Sequence, residues 1–158
     1  MSPAASAAFS YAEMTTRNAG FLTTAEQAAL REAPIFVAGV GGMGGAAVQA
    51  LVRAGAERLV LADFDRFDVS NLNRQVFSGL STVGREKVEA TVERLADINP
   101  ALRLTTYGRE WTDALDTILT ECRIVVNGMD DLAAGLHLYR RARALGATVI
   151  DARRRAAR

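Results

Sequence analysis

Apolar residues in this chain of 158 residues gather into short continuous runs, each followed by a longer stretch in which they recur every three or four positions. A short run suits a strand buried on both faces, and the longer periodic stretch suits an amphipathic helix laid across it. Ile35 to Gly39 is the first such run and opens into glycines. Gly44 to Ala54 then carries Ala47, Val48, Leu51 and Val52 at helical spacing. Gly55 stops that helix, Arg58 to Ala62 is the next buried run, and Asp63 stands at its carboxyl end. An irregular stretch follows to about Ser81. Gly84 to Asp97 predicts a helix with Val88, Val92 and Leu95 on one face, closed by Asn99-Pro100. Leu102 to Tyr107 reads as a third strand, Thr112 as the cap of a short helix, and Arg123 to Asn127 as a fourth strand. Leu132 to Leu145 predicts a helix ended by Gly146, and Ala147 to Ile150 a fifth strand. Ahead of all these, Thr23-Thr24-Ala25-Glu26 offers a capping box for a short helix through Glu32, which Pro34 ends.

Strands alternating with helices of this length imply parallel pairing through right-handed crossovers. The expected fold is a Rossmann-like, doubly wound parallel sheet of α/β class, three-layer α/β/α, with five strands in the order 3-2-1-4-5. A ligand in such a sheet lies outside the carboxyl ends of the strands, where strands 1 and 4 diverge. The length suits one domain with one core, placed at residues 17–151. Residues 1–16, rich in Ala and Ser and without a basic start, read as a flexible arm, and residues 152–158 as a solvated basic tail.

Composition changes this picture little. A formal charge of +1 and an apolar fraction of 49% give no pointer to nucleic acid or membrane. Cys122 has no second cysteine to pair with, which fits a reducing cytoplasm. No stretch of about 18 apolar residues exists, so no transmembrane segment is expected. One detail stands out: 18 of the 19 basic residues are arginine, and Lys87 is the exception. A lysine is a compact point charge on a flexible stem, suited to reaching a phosphate oxygen.

Gly39, Gly41 and Gly44, in Gly39-Val40-Gly41-Gly42-Met43-Gly44, permit a sharp turn, a close approach to phosphate oxygens and tight packing of helix on strand. Asp63, 19 residues beyond Gly44, is placed to accept hydrogen bonds from ribose hydroxyls. NAD and ATP readers share both features. The residues that follow favour a triphosphate, which needs cations over its outer phosphates and a metal to screen their charge. Arg74 and Lys87 could supply the cations, and Asp130 a magnesium-bound carboxylate. Each also has a plainer reading: Arg74 holding its own loop, Lys87 solvated, Asp130 capping the next helix. Cys122 and Trp111 read as packing residues, His137 as an ordinary histidine of its helix, and Arg140, Arg141 and Arg143 as a solvated face.

Asn71-Leu72-Asn73-Arg74-Gln75, with Leu61 to Asp65, Val83 to Lys87, Ile98-Asn99-Pro100 and Asn127-Gly128-Met129-Asp130, resembles the ThiF/MoeB group of the ubiquitin-activating-enzyme superfamily. The resemblance covers roughly residues 17 to 151 and implies adenylation. A carboxylate, typically the carboxyl-terminal glycine of a ubiquitin-like or sulfur-carrier protein, attacks the α-phosphate of ATP and releases pyrophosphate. By position, Gly41 and Gly42 would lie against the phosphates within the loop from Gly39 to Gly44. Asp63 would hold the ribose, with Asp65 in the same cofactor-binding group. Asn71, Arg74 and Lys87 would steady the triphosphate, and Asp130 would place Mg2+. Arg17 resembles the family's amino-terminal arginine that reaches a partner subunit's ATP, so a homodimer is implied. Asp131 stands where many relatives have asparagine. Full-length relatives continue for about another sheet's worth of chain, so the sequence is expected to represent the nucleotide-binding half. An NAD-dependent oxidoreductase and a non-catalytic interaction module are the alternatives.

Overall fold

The computed structural model describes residues 9–151. Pro34–Ala38 (β1), Arg58–Ala62 (β2), Arg103–Tyr107 (β3), Ile124–Asn127 (β4) and Thr148–Asp151 (β5) form one parallel sheet in the order β3-β2-β1-β4-β5. Val37 stands level with Leu61 on one side and Val126 on the other, so the carboxyl ends of the three central strands finish together. The α-helices are Tyr11–Met14 (α1), Thr24–Glu32 (α2), Gly42–Ala54 (α3), Lys87–Ala96 (α4), Leu115–Glu121 (α5) and Leu132–Ala144 (α6).

Alternation along the strands divides the core in two. Ile35, Val37, Leu59 and Leu61 pack with Val48 and Val52 of α3 and Val88 and Leu95 of α4. Phe36, Ala38 and Val60 face the other way, onto Leu115 and Leu119 of α5 and Leu138 and Ala142 of α6. Trp111 and Cys122 belong to this second cluster. The Trp111 ring lies 6.3 Å from that of Phe36, as a packing anchor would. Burial pushes the Cys122 thiol up to about 11, which makes it inert at neutral pH. Among the described residues no helix is long and apolar enough to cross a membrane.

The expectation of a loose arm through residue 16 needs correction. Tyr11 to Met14 is helical, and the Tyr11 hydroxyl donates to the Gly55 carbonyl at 2.8 Å. Gln27 and Asn18 side-chain amides both donate to the Ala54 carbonyl at 2.9 Å. The final carbonyls of a helix lack partners within it, and Asn18 together with Gln27 of α2 meets that of Ala54 at the end of α3, while Tyr11 meets that of its cap Gly55. Residues 1–8 of the arm and the basic tail 152–158 lie outside the described residues.

Two helix starts also shift. Gly84 sits at φ +85° and Glu86 is extended, bridged to Arg66, so α4 begins at Lys87 rather than Gly84. Thr112 does not cap α5. It closes the 3-10 turn Arg109–Thr112, which carries Trp111 into the core, and α5 starts at Leu115.

Candidate functional site

The glycine loop is fixed by backbone packed on backbone. Gly39 has φ +84°, and a Cβ on Gly44 would stand 1.7 Å from the Gly39 carbonyl oxygen, so no side chain fits there. A Cβ on Gly128 would fall 2.6 Å from the Gly44 Cα, which brings the end of β4 against the same turn. Two hydrogen bonds complete the closure, from Gly39 N–H to the Ala62 carbonyl at 2.7 Å and from Gly128 N–H to the Ala38 carbonyl at 2.8 Å. The ends of β1, β2 and β4 thus meet where the sheet order reverses. Helix α3 starts here at Gly42, with Gly41 as a cap that has no side chain and no acid in the first turn. Its leading amides keep their positive potential for a ligand.

Asp63 stands directly beside this loop. Its Oδ2 accepts from Val40 N–H and its Oδ1 from Asp65 N–H, both at 2.9 Å. One bond per oxygen leaves each with a further acceptor direction. Burial raises the carboxyl above the ordinary aspartate range. The two backbone donors and the Lys87 charge pull the other way.

Lys87 opens α4 and is not a solvated surface lysine: its side chain is 9% exposed. Nζ lies 3.0 Å from Asp65 Oδ2, and the Lys87 backbone N–H donates to the Asp65 carbonyl at 2.9 Å. Arg74 reaches the glycine loop with its stem, Cγ lying 3.7 Å from where a Gly42 Cβ would be. Its guanidinium folds back on Ser70 and Asn73, so it holds its own loop by hydrogen bonds. Asn71 is the knot of that loop. It is buried, its Oδ1 accepts from Asp68 N–H, and its carbonyl receives Arg74 N–H, Gln75 N–H and the Ser78 hydroxyl.

Asp130 is exposed just beyond β4, and the cap of α6 is its neighbour Asp131, whose Oδ1 accepts from Ala134 N–H at 3.0 Å. The capping reading of Asp130 is therefore corrected. Among the described residues no cluster of three or more His, Cys, Asp or Glu could hold a metal. Asp130 is a single exposed carboxylate, and a magnesium ion can be held by one protein carboxylate with phosphate and water as its other ligands.

Arg17 does not join the others within this chain. It is exposed in the turn Thr16–Asn18, and Asn18 binds the far end of α3, about 20 Å of helix away from Gly42. Gln75, the last residue of the Asn71 to Gln75 run, also comes against the glycine loop. It is 7% exposed, its amide nitrogen lies 3.6 Å from the position of a Gly41 Cβ, and its Oε1 has no donor. Nothing in local spacing signals this, because the contact is made across the loop. Roughly 590 Å³ of open depression on the outer face of α6, lined by Leu136, Tyr139, Arg140, Arg143 and Ala144, includes none of these residues.

A glycine loop, an uncapped helix start and a semi-buried carboxylate at the switch point of a doubly wound sheet define a nucleotide-binding α/β domain. The chain belongs to the ThiF family, whose pattern matches residues 15–156. It is 40% identical over 108 residues to a molybdopterin-synthase adenylyltransferase of Salmonella typhimurium, covering 68% of this chain and 43% of that one. It is 34% identical over 113 residues to a tRNA threonylcarbamoyladenosine dehydratase of Bacillus subtilis, covering 70% and 44%. Among solved structures, the E. coli tRNA N6-threonylcarbamoyladenosine dehydratase in complex with ATP superposes with a TM-score of 0.83 at 26% identity, over 89% of this chain and 58% of that one. The chain thus spans less than half the length of these two curated relatives.

Proposed function

We propose that this chain provides the ATP site of an adenylyltransferase that activates a carboxylate as an acyl-adenylate. The observation that supports the reading is that Asp63 on the Val40 amide and the stem of Arg74 against Gly42 lie at the uncapped start of α3, with Lys87 held to Asp65 two residues beyond Asp63. The free acceptor directions of Asp63 suit two ribose hydroxyls. The α3 amides and the two cations suit a chain of phosphates. Asn71 acts by holding Arg74 in place, and Gly39 and Gly44 by shaping the loop. Asp130 would hold Mg2+, which supplies charge screening on the phosphates when bound.

In the reaction an acceptor carboxylate oxygen forms a bond to the α-phosphorus, and the bond from that phosphorus to the bridging oxygen of the β-phosphate breaks. The electron pair leaves with pyrophosphate, so no protein nucleophile is needed. The protein's part is to neutralise two anions and align them. Relatives named as adenylyltransferases of molybdopterin synthase and of a sulfur carrier protein support a carrier-protein carboxylate as acceptor. The dehydratase likeness supports a second reading, a carboxylate carried on a transfer RNA nucleoside. In a homodimer of the family kind, Arg17 would act on a second copy's site, in keeping with its distance from its own.

Thermal stabilisation by magnesium ATP against NAD, at matched concentration, is the test. Ligand at about 100 times its dissociation constant adds about 2.7 kcal/mol. ATP is expected to stabilise the protein, and Lys87→Ala to weaken ATP about thirtyfold, the loss of a charge-assisted hydrogen bond worth about 2 kcal/mol. Stabilisation by NAD alone would replace adenylation with hydride transfer.

A further inference from the structure

Lys87 is the sole lysine of the chain, and its ammonium is already engaged. Asp65 holds it twice, by carboxylate to Nζ at 3.0 Å and by carbonyl to backbone N–H at 2.9 Å. The two partners differ in their access to water: the lysine side chain is 9% exposed and the aspartate side chain 56%. A cation so far removed from water needs an anion beside it. The Lys87 charge also acts on Asp63, the other nearby acid, but the hydrogen bond from Nζ goes to Asp65 Oδ2 and not to Asp63. Asp65 is therefore the partner that keeps the ammonium satisfied, and it is also the one that solvent can stabilise if the pair separates.

We propose that Asp65 is the internal counter-ion of Lys87, a carboxylate that holds the ammonium in position until a phosphate of the nucleotide displaces it. The inference rests on the ATP reading above. It makes Asp65 a positioning residue that acts through Lys87, in place of the nucleotide ligand that its position in the family pattern implies. Carboxylate and phosphate compete for one cation, so the protein moderates its own grip on ATP and on the pyrophosphate it must release. Asp65→Asn removes the competitor and leaves a shielded ammonium with no anion, and phosphates then bind more tightly.

The experiment is isothermal titration of the full chain with ATP, pyrophosphate and adenosine, comparing wild type, Asp65→Asn, Asp65→Ser and Asp65→Glu. Asp65→Asn and Asp65→Ser are expected to bind ATP and pyrophosphate about three- to tenfold more tightly, the size expected for a half-exposed pair. Adenosine affinity is expected to stay unchanged, and Asp65→Glu to return phosphate affinity toward wild type. A single lysine permits a direct readout as well. Protein labelled with 15N-lysine has one side-chain ammonium resonance, which should move on Asp65→Asn and on adding pyrophosphate to wild type. Unchanged or weaker phosphate binding in the folded Asp65 variants, or an ammonium resonance indifferent to Asp65→Asn, overturns the counter-ion. Wild type that binds neither ATP nor adenosine overturns the nucleotide reading itself, and the counter-ion with it.

Discussion

At the amino ends of the strands Glu57 is 2% exposed, and both its oxygens are engaged, by Arg31 Nε at 2.7 Å and by Asn99 Nδ2 at 3.2 Å. At the carboxyl ends Gln75 is nearly as deep, and its Oε1 has no donor. The contrast extends through both regions. The Arg31 guanidinium also lies 4.0 Å over the Tyr11 ring, Arg103 pairs with Glu32, Asn18 and Gln27 meet the Ala54 carbonyl that ends α3, and Tyr11 meets that of its cap Gly55. The first amides of the same helix are met by no side-chain cap. One end of α3 is finished by the protein and the other is left for a ligand. Buried polar groups without partners cost stability, and among the described residues Gln75 Oε1 beside the glycine loop is one and Thr91 Oγ1 within α4 another.

Gly44→Ala should break the carboxyl end most severely. Its Cβ would collide with the Gly39 carbonyl at 1.7 Å, and the loss is expected to exceed about 3 kcal/mol despite alanine's better helix propensity. A denaturant midpoint within about 1 kcal/mol of wild type would mean that the loop has room to move. Arg31→Ala attacks the other end. It leaves the deep Glu57 carboxylate with Asn99 as its remaining side-chain partner and should cost about 2 kcal/mol, with adenosine affinity untouched. A matching loss of affinity would show that the two ends are not independent. Gln75→Met is the finest probe: replacing an amide that has an orphaned oxygen should stabilise the protein by up to about 1 kcal/mol. Destabilisation would mean that the oxygen is satisfied in solution.

The sheet and its order were readable in advance because the central strands are buried on both faces and leave continuous apolar runs such as Ile35 to Ala38 and Leu59 to Ala62. The glycine loop and Asp63 were readable because a tight turn needs particular residue types at short spacing. What escaped was set by contacts between distant positions. Nothing near Tyr11 announces that its hydroxyl will meet Gly55, and nothing near Lys87, read as a phosphate-reaching cation or a solvated one, announces its pairing with Asp65. The late start of α4 follows from the Arg66 to Glu86 bridge, again a partner some twenty residues away. Asp131 rather than Asp130 caps α6 because its carboxylate is the one that bonds the Ala134 amide, a choice that two adjacent aspartates conceal.

The closure of the glycine turn against β4 bears on how the molecule is made. On a ribosome β1, β2 and β3 emerge in succession and can pair with one another early, whereas the bond from Gly128 to the Ala38 carbonyl must await a segment synthesised much later. A nascent chain stalled before β4 has its glycine turn in sequence but without the Gly128 contact that closes it. The final packing of the glycine turn thus waits on a strand made about ninety residues after the turn itself.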